Sequence, residues 1–188
     1  PPLTPWHSGD PAHGGRNQRR SRHLGAVAAI VIADASPLIA LARLDGLGWL
    51  RALFNEVLVT ETVIGEVLTG GFAASEARID QAIAAGWLRV VPCLSNTPPL
   101  PDLDEGEAAS IRLALELGGK SLLLIDERAG RAVAQEFGLA VAGTAAVIGL
   151  AKQKGLIASA RSLFEELHSS DFRIAAPVIQ TVLERCRE

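Results

Sequence analysis

The sequence contains no tyrosine and no methionine, and aromatic residues make up only 4% of its 188 positions. Single-stranded RNA is commonly gripped by stacking its bases on aromatic side chains, so this composition argues against a stacking platform. Cysteine is scarce too. Cys93 and Cys186 have neither zinc-ligand nor redox spacing, and they read as incidental thiols of a cytosolic protein. No apolar run reaches the ~18–20 residues that a membrane-spanning helix needs, so no membrane partner is expected. The net charge of -3 lacks the basic footprint usual in DNA-binding domains. Several catalytic signatures are also missing: G-x-G-x-x-G, H-E-x-x-H and G-x-S-x-G do not occur. Gly118-Gly119-Lys120-Ser121 resembles the end of a phosphate-binding loop. However, Ala114 stands where that loop needs glycine, and a strand rather than a helix follows.

What the sequence does have is a large aliphatic fraction. Hydrophobic residues make up 48% and charged residues 21%, a globular composition. Their Ala, Leu, Val and Ile content suits a layered α/β core. Charge is uneven along the chain. Residues 1–24 carry Arg16, Arg19, Arg20 and Arg22 against Asp10, a net of +3, which leaves -6 for the remainder. This Pro-, Gly-, Arg- and His-rich stretch reads as a disordered basic leader or an upstream mis-start, followed by one domain over 25–188. Arg19-Arg20 ahead of the apolar run Leu24 to Ala33 has the outline of a signal peptide. The run has no leucine-rich core, though, and fits a buried strand better.

Short apolar strands alternate with helical patterns. Strands are predicted over 26–33, 57–60, 88–92, 121–125 and 140–141, with helices between and after them. Ser36-Pro37 is expected to open the first helix, with Ser36 as N-cap and Pro37 at its first position. Asp104 is expected to cap a long helix ended by Gly118-Gly119. The alternation predicts a mostly parallel sheet wrapped by helices.

Two of the strands run straight into aspartate: Ile30-Val31-Ile32-Ala33 into Asp34, and Leu122-Leu123-Leu124-Ile125 into Asp126. Ligands of open parallel sheets bind beyond the carboxyl ends of the strands, whereas a lone Asp there often only caps the next helix. Glu66 lies among apolar Val63, Ile64 and Val67. Glu107 stands three residues after Asp104, a capping-box spacing, but is set among small residues that allow close approach. No histidine lies near these positions, which argues against a histidine general base. Arg128 and Arg131 share one helix face beyond Asp126, able to hold substrate phosphate or to pair with a nearby glutamate.

Together, Asp34-Ala35-Ser36-Pro37-Leu38-Ile39, Val63-x-x-Glu66-Val67, Gly106-Glu107-Ala108 and Leu124-Ile125-Asp126-Glu127-Arg128 resemble the four acidic motifs of PIN domains. These are the nuclease domains of VapC-type toxins and of RNA-processing enzymes. Gly143-Thr144, Ala151-Lys152-x-Lys154-Gly155-Leu156-Ile157 and Phe172-Arg173-Ile174 resemble a VapC-related subgroup described as predicted nucleic-acid-binding proteins. The resemblance implies a three-layer α/β/α sandwich and an acidic pocket for Mg²⁺ or Mn²⁺ held by Asp34, Glu66, Glu107 and Asp126. It also implies RNA cleavage in the cytoplasm, an antitoxin partner and a homodimer. Ser36 and Thr144 fall where the family places hydroxyls near the pocket, though either could be a plain helix cap. Glu127, with its longer reach, stands where the subgroup often has a second Asp. A PIN-like module that binds RNA or protein without cutting, and a phosphohydrolase of small esters, are the alternatives.

Overall fold

The computed structural model describes residues 30–69, 73–92, 95–170 and 172–188. The leader assigned to 1–24, the first part of the apolar run from Ala26, the Gly70-Gly71 helix stop and Cys93 lie outside the described residues. The elements follow the order β1 (Val31–Ala33), α1 (Ala35–Arg43), α2 (Leu47–Phe54), β2 (Val57–Thr60), α3 (Glu61–Thr69), α4 (Ala73–Ala84), β3 (Leu88–Val91), α5 (Glu105–Glu116), β4 (Leu122–Leu124), α6 (Arg128–Glu136), β5 (Ala140–Ala142), α7 (Thr144–Gln153), α8 (Ala160–Ser169) and α9 (Ala176–Cys186).

The strands form one five-stranded sheet in the order β3-β2-β1-β4-β5, and every pairing is parallel. Alternation along β1 and β4 splits the core into two layers. Val31, Ala33, Leu122 and Leu124 pack with Leu38, Leu41, Leu50 and Val147 on one face. Ile32, Leu123 and Ile125 pack with Ile111, Ala114 and Ala134 on the other. A strand buried on both faces has no reason to alternate apolar with polar residues, which is why these strands read as continuous aliphatic runs. A third cluster joins α1 and α7 to α8 and α9 through Ala40, Ile148, Phe164, Leu167 and Leu183. The result is the expected α/β/α sandwich. No helix among the described residues is long and apolar enough to cross a membrane.

The sheet order matters for the site. The chain lays β2 and β3 on one side of β1, then returns to lay β4 and β5 on the other. The β1–β4 boundary is therefore the point at which the winding reverses, where such sheets open a crevice at their carboxyl edge. Val31, Ile32 and Ala33 pair with Leu122, Leu123 and Leu124, and the Asp34 N–H extends that ladder to the Leu124 carbonyl at 2.9 Å. Asp34 and Asp126 thus leave neighbouring strands at the same edge.

One cap differs from expectation. The extended residue ahead of α1 is Asp34, not Ser36 (φ -83°, ψ 169°). Ser36 and Pro37 become the second and third residues of the helix. Proline is tolerated there because a first-turn N–H has no intrahelical acceptor to lose.

Candidate acidic site

Each of the four carboxylates meets the N-terminus of a helix. Asp34 is the N-cap of α1, and the Ala35 N–H stabilises its anion. Glu66, half-buried on α3, meets the N–H of Gly106, the second residue of α5. Glu107, the third residue of α5, meets the N–H of Gly130 in the first turn of α6. Asp126 accepts from Thr144, the first residue of α7. The Thr144 N–H donates to Oδ1 at 2.8 Å and its hydroxyl donates to Oδ2 at 2.6 Å. First-turn N–H groups lack intrahelical acceptors and lie at the positive end of the helix dipole, so four such ends can hold four like charges near one another.

They do not hold them as ordinary carboxylates. Burial pushes the Asp34 carboxyl up to about 7, against the Ala35 N–H; the charges of Asp104, Glu107 and Glu66 push the same way. Burial is also the first cause raising Glu66 and Glu107, with Asp104 the second in each case. Asp126 is raised by burial too, opposed by the two Thr144 bonds and by the Arg131 guanidinium. Asp34 is 3% exposed and Glu107 4%. Asp34 Oδ1 and Glu107 Oε1 have no hydrogen-bond partner among the described residues. A buried carboxylate oxygen without a donor is costly.

The supporting residues fall into three kinds. Thr144 is fully buried and spends its hydroxyl on Asp126 while Gly143 takes the N-cap position. Arg131 is half-buried, and its Nη1 donates to the Ile125 carbonyl at 2.9 Å, beside Asp126. Glu127 is exposed at the N-cap of α6 without a side-chain cap bond, and its charge is felt by both Glu107 and Asp126. Arg128 is exposed, Ser36 is half-buried, and neither Arg128 nor Arg131 forms an ion pair among the described residues.

Asp104 is the member that spacing left outside the site. It caps α5 by accepting the Glu107 N–H at 2.7 Å, as the capping-box spacing predicts. It also adds its charge to three of the four acids. The one signal available in the sequence was its closeness to Glu107.

The donor set is all carboxylate oxygen, the chemistry preferred by hard cations such as Mg²⁺ and Mn²⁺, and the two orphaned oxygens fit such a group. As the side chains stand, no three Asp, Glu, His or Cys groups among the described residues are arranged around a common ion. Each acid is held at its own helix end by first-turn N–H groups. An apolar cavity of about 270 Å³, lined in part by Phe54, Leu124, Ala142, Leu150 and Cys186, contains none of them.

Residues 30–188 match a family model described as a PIN domain. No curated protein matches the chain.

Proposed function

The chain belongs to the PIN-domain family, a nuclease-type fold, and on that premise we propose that it is a metal-dependent endoribonuclease. Asp34, Glu66, Glu107 and Asp126 hold Mg²⁺ or Mn²⁺, and RNA phosphodiester bonds are the substrate. The observation that carries this reading is the pair of orphaned oxygens, Asp34 Oδ1 and Glu107 Oε1, each on a buried residue. Protein interiors rarely leave such groups without a partner.

When bound, the cation supplies positive charge for the phosphate oxygens and activates water for in-line attack. The chain's own residues orient and hold. Thr144 fixes both oxygens of Asp126. Arg131, held at the Ile125 carbonyl, keeps a positive charge at the rim of the crevice, and Arg128 carries another on the exposed helix face. Ser36 and Glu127 flank the site from the first turn of α1 and the cap of α6. On the same reading the protein is the toxin of a type II toxin–antitoxin pair. Its partners are RNA, an antitoxin protein and a second copy of the chain in the cytoplasm.

A second reading, a PIN-like module that binds RNA or protein without cutting, is favoured by the separation of the carboxylates as they stand. The test is cleavage of a labelled RNA with Mg²⁺ or Mn²⁺, alongside calorimetric titration of the same metals. The ribonuclease reading expects cleavage that Asp34→Ala and Asp126→Ala each reduce at least about a hundredfold, as loss of essential catalytic groups commonly does. Unchanged cleavage by both variants refutes it. Absence of metal binding together with retained RNA binding selects the second reading.

A further inference from the structure

Alanine is the better residue inside a helix, so a glycine at the start of one calls for a reason. Gly48, in α2, has none in its surroundings: a Cβ there would meet nothing within 4 Å. A Cβ on Gly46 or Gly149 would crowd the apolar side chains of Trp49 and Val182, whereas three other glycines would crowd acids. A Cβ on Gly106 would lie 2.9 Å from Glu66 Cδ and Oε1, and closer still to Oε2. On Gly130 it would lie 2.5 Å from Glu107 Oε1 and also press on Ile125 Cδ1. On Gly143 it would lie 2.5 Å from Asp126 Oδ1. Real Cβ atoms essentially never come closer than 3.0 Å to such neighbours.

Three of the four acids therefore each press on one glycine, and each glycine sits at or near the start of the helix that receives the acid. The atoms in the way are mostly side-chain tips rather than backbone. An added methyl group would push a carboxylate aside more readily than it would disturb a helix. Independently, the orphaned Asp34 Oδ1 and Glu107 Oε1, on residues more than nine-tenths buried, mark the same group of acids as lacking a partner.

We infer that Gly106, Gly130 and Gly143 are positioning residues of the acidic site: their missing Cβ atoms let Glu66, Glu107 and Asp126 lodge against the helix N-termini, the seats from which they would take up the cation of the proposed site. This rests on the metal-dependent reading above. Gly106 offers the cleanest test, because Glu66 alone lies in the path of its Cβ.

Gly106→Ala, Gly48→Ala and Asp34→Asn are made in the full chain. The melting temperature is measured in EDTA and Mn²⁺ affinity by calorimetry. Both alanine variants are expected to melt no lower than the wild type. Gly48→Ala binds Mn²⁺ as the wild type does. Gly106→Ala binds it about tenfold more weakly, the lower end of what groups that orient metal ligands commonly contribute. The loss runs through Glu66, so Gly106→Ala adds nothing further in a Glu66→Gln background. If Gly106→Ala binds Mn²⁺ as tightly as the wild type while Asp34→Asn weakens binding, the glycine inference falls and the metal reading stands. A wild-type protein that takes up no Mn²⁺ overturns both. A Gly106→Ala chain that fails to fold also overturns the inference, because only a side-chain tip is held to give way.

Discussion

Asp34 sits at the N-terminus of α1 with its carboxyl pushed up to about 7. Glu188 sits at the N-terminus of α8 with its carboxyl pulled down to about 2. Both have a first-turn N–H nearby. Glu188 also takes up Lys152 Nζ at 2.7 Å, the first cause of its shift, and it accepts from Ala160 N–H, Arg161 N–H and the Ser159 hydroxyl at 3.0–3.1 Å. Its side chain retains 15% exposure. Asp34 has lost its water and faces three more acids. A helix N-terminus alone therefore does not settle the charge of a carboxylate. A counter-cation does, and none of the four acids has an ion pair among the described residues. Only Asp126 feels a positive side chain, the Arg131 guanidinium; Asp34, Glu66 and Glu107 lack what Lys152 provides at α8, and a divalent cation would supply it.

The comparison can be tested at both ends, and the largest effect is expected at Asp34. An acid whose folded value lies above its unfolded one stabilises the fold in acid and loses that contribution as pH rises. In EDTA, the melting temperature should therefore fall between about pH 4 and pH 7 and level off above, where Asp34 is ionised in both states. Glu66, Glu107 and Asp126, also raised, act in the same direction. Mn²⁺ should reverse the fall. Asp34→Asn should abolish much of it, gaining at most about 4 kcal/mol at neutral pH, since each pKa unit corresponds to about 1.4 kcal/mol. Thermal melts across pH, with and without metal, decide this, and a melting temperature that rises from pH 4 to 7 in EDTA contradicts it.

The next effect has the opposite sign. Glu188→Gln removes a satisfied, ionised cap, so it should cost about 1 kcal/mol at pH 7 and leave Mn²⁺ affinity unchanged. That stability is present above the unfolded value and is lost as pH falls through about 2, so the gap between variant and wild type should narrow below about pH 4.5. A gap that widens in acid would refute the assignment.

The smallest effect tests the residue that belongs to both situations. Asp104 is an exposed cap that also acts on three buried acids. Asparagine caps helices as well as aspartate does, so Asp104→Asn should shift stability by only a few tenths of a kcal/mol. Removal of its charge should weaken Mn²⁺ binding about threefold, a modest change in keeping with an exposed charge. Calorimetry paired with thermal melts separates the two roles, and a purely capping Asp104 leaves affinity unchanged.

Much of this architecture was legible because its causes are local. Continuous aliphatic runs marked the buried strands, and the strand-end aspartates marked the sheet edge. Asp104 with Glu107 marked the start of α5. Ser36 was misplaced because two good cappers, Asp34 and Ser36, stand two residues apart, and strand pairing up to the Asp34 N–H chooses between them. The seating of Glu66 on Gly106 leaves no trace in spacing, since only the packing of α3 against α5 brings the two together. The separation of the acids on different helix ends was also out of reach, because it depends on burial and mutual charge in the assembled fold.

The strand order has one more consequence. Asp34 and Asp126 come from neighbouring strands, yet β2, β3 and five helices lie between them along the chain. Such distant pairing is slow to form and late to complete. A polypeptide still being synthesised can build β1 to β3 without the second aspartate, and Thr144, which holds that aspartate, emerges later still. Whatever chemistry the acids perform is thus withheld from the nascent chain until most of the domain has been made.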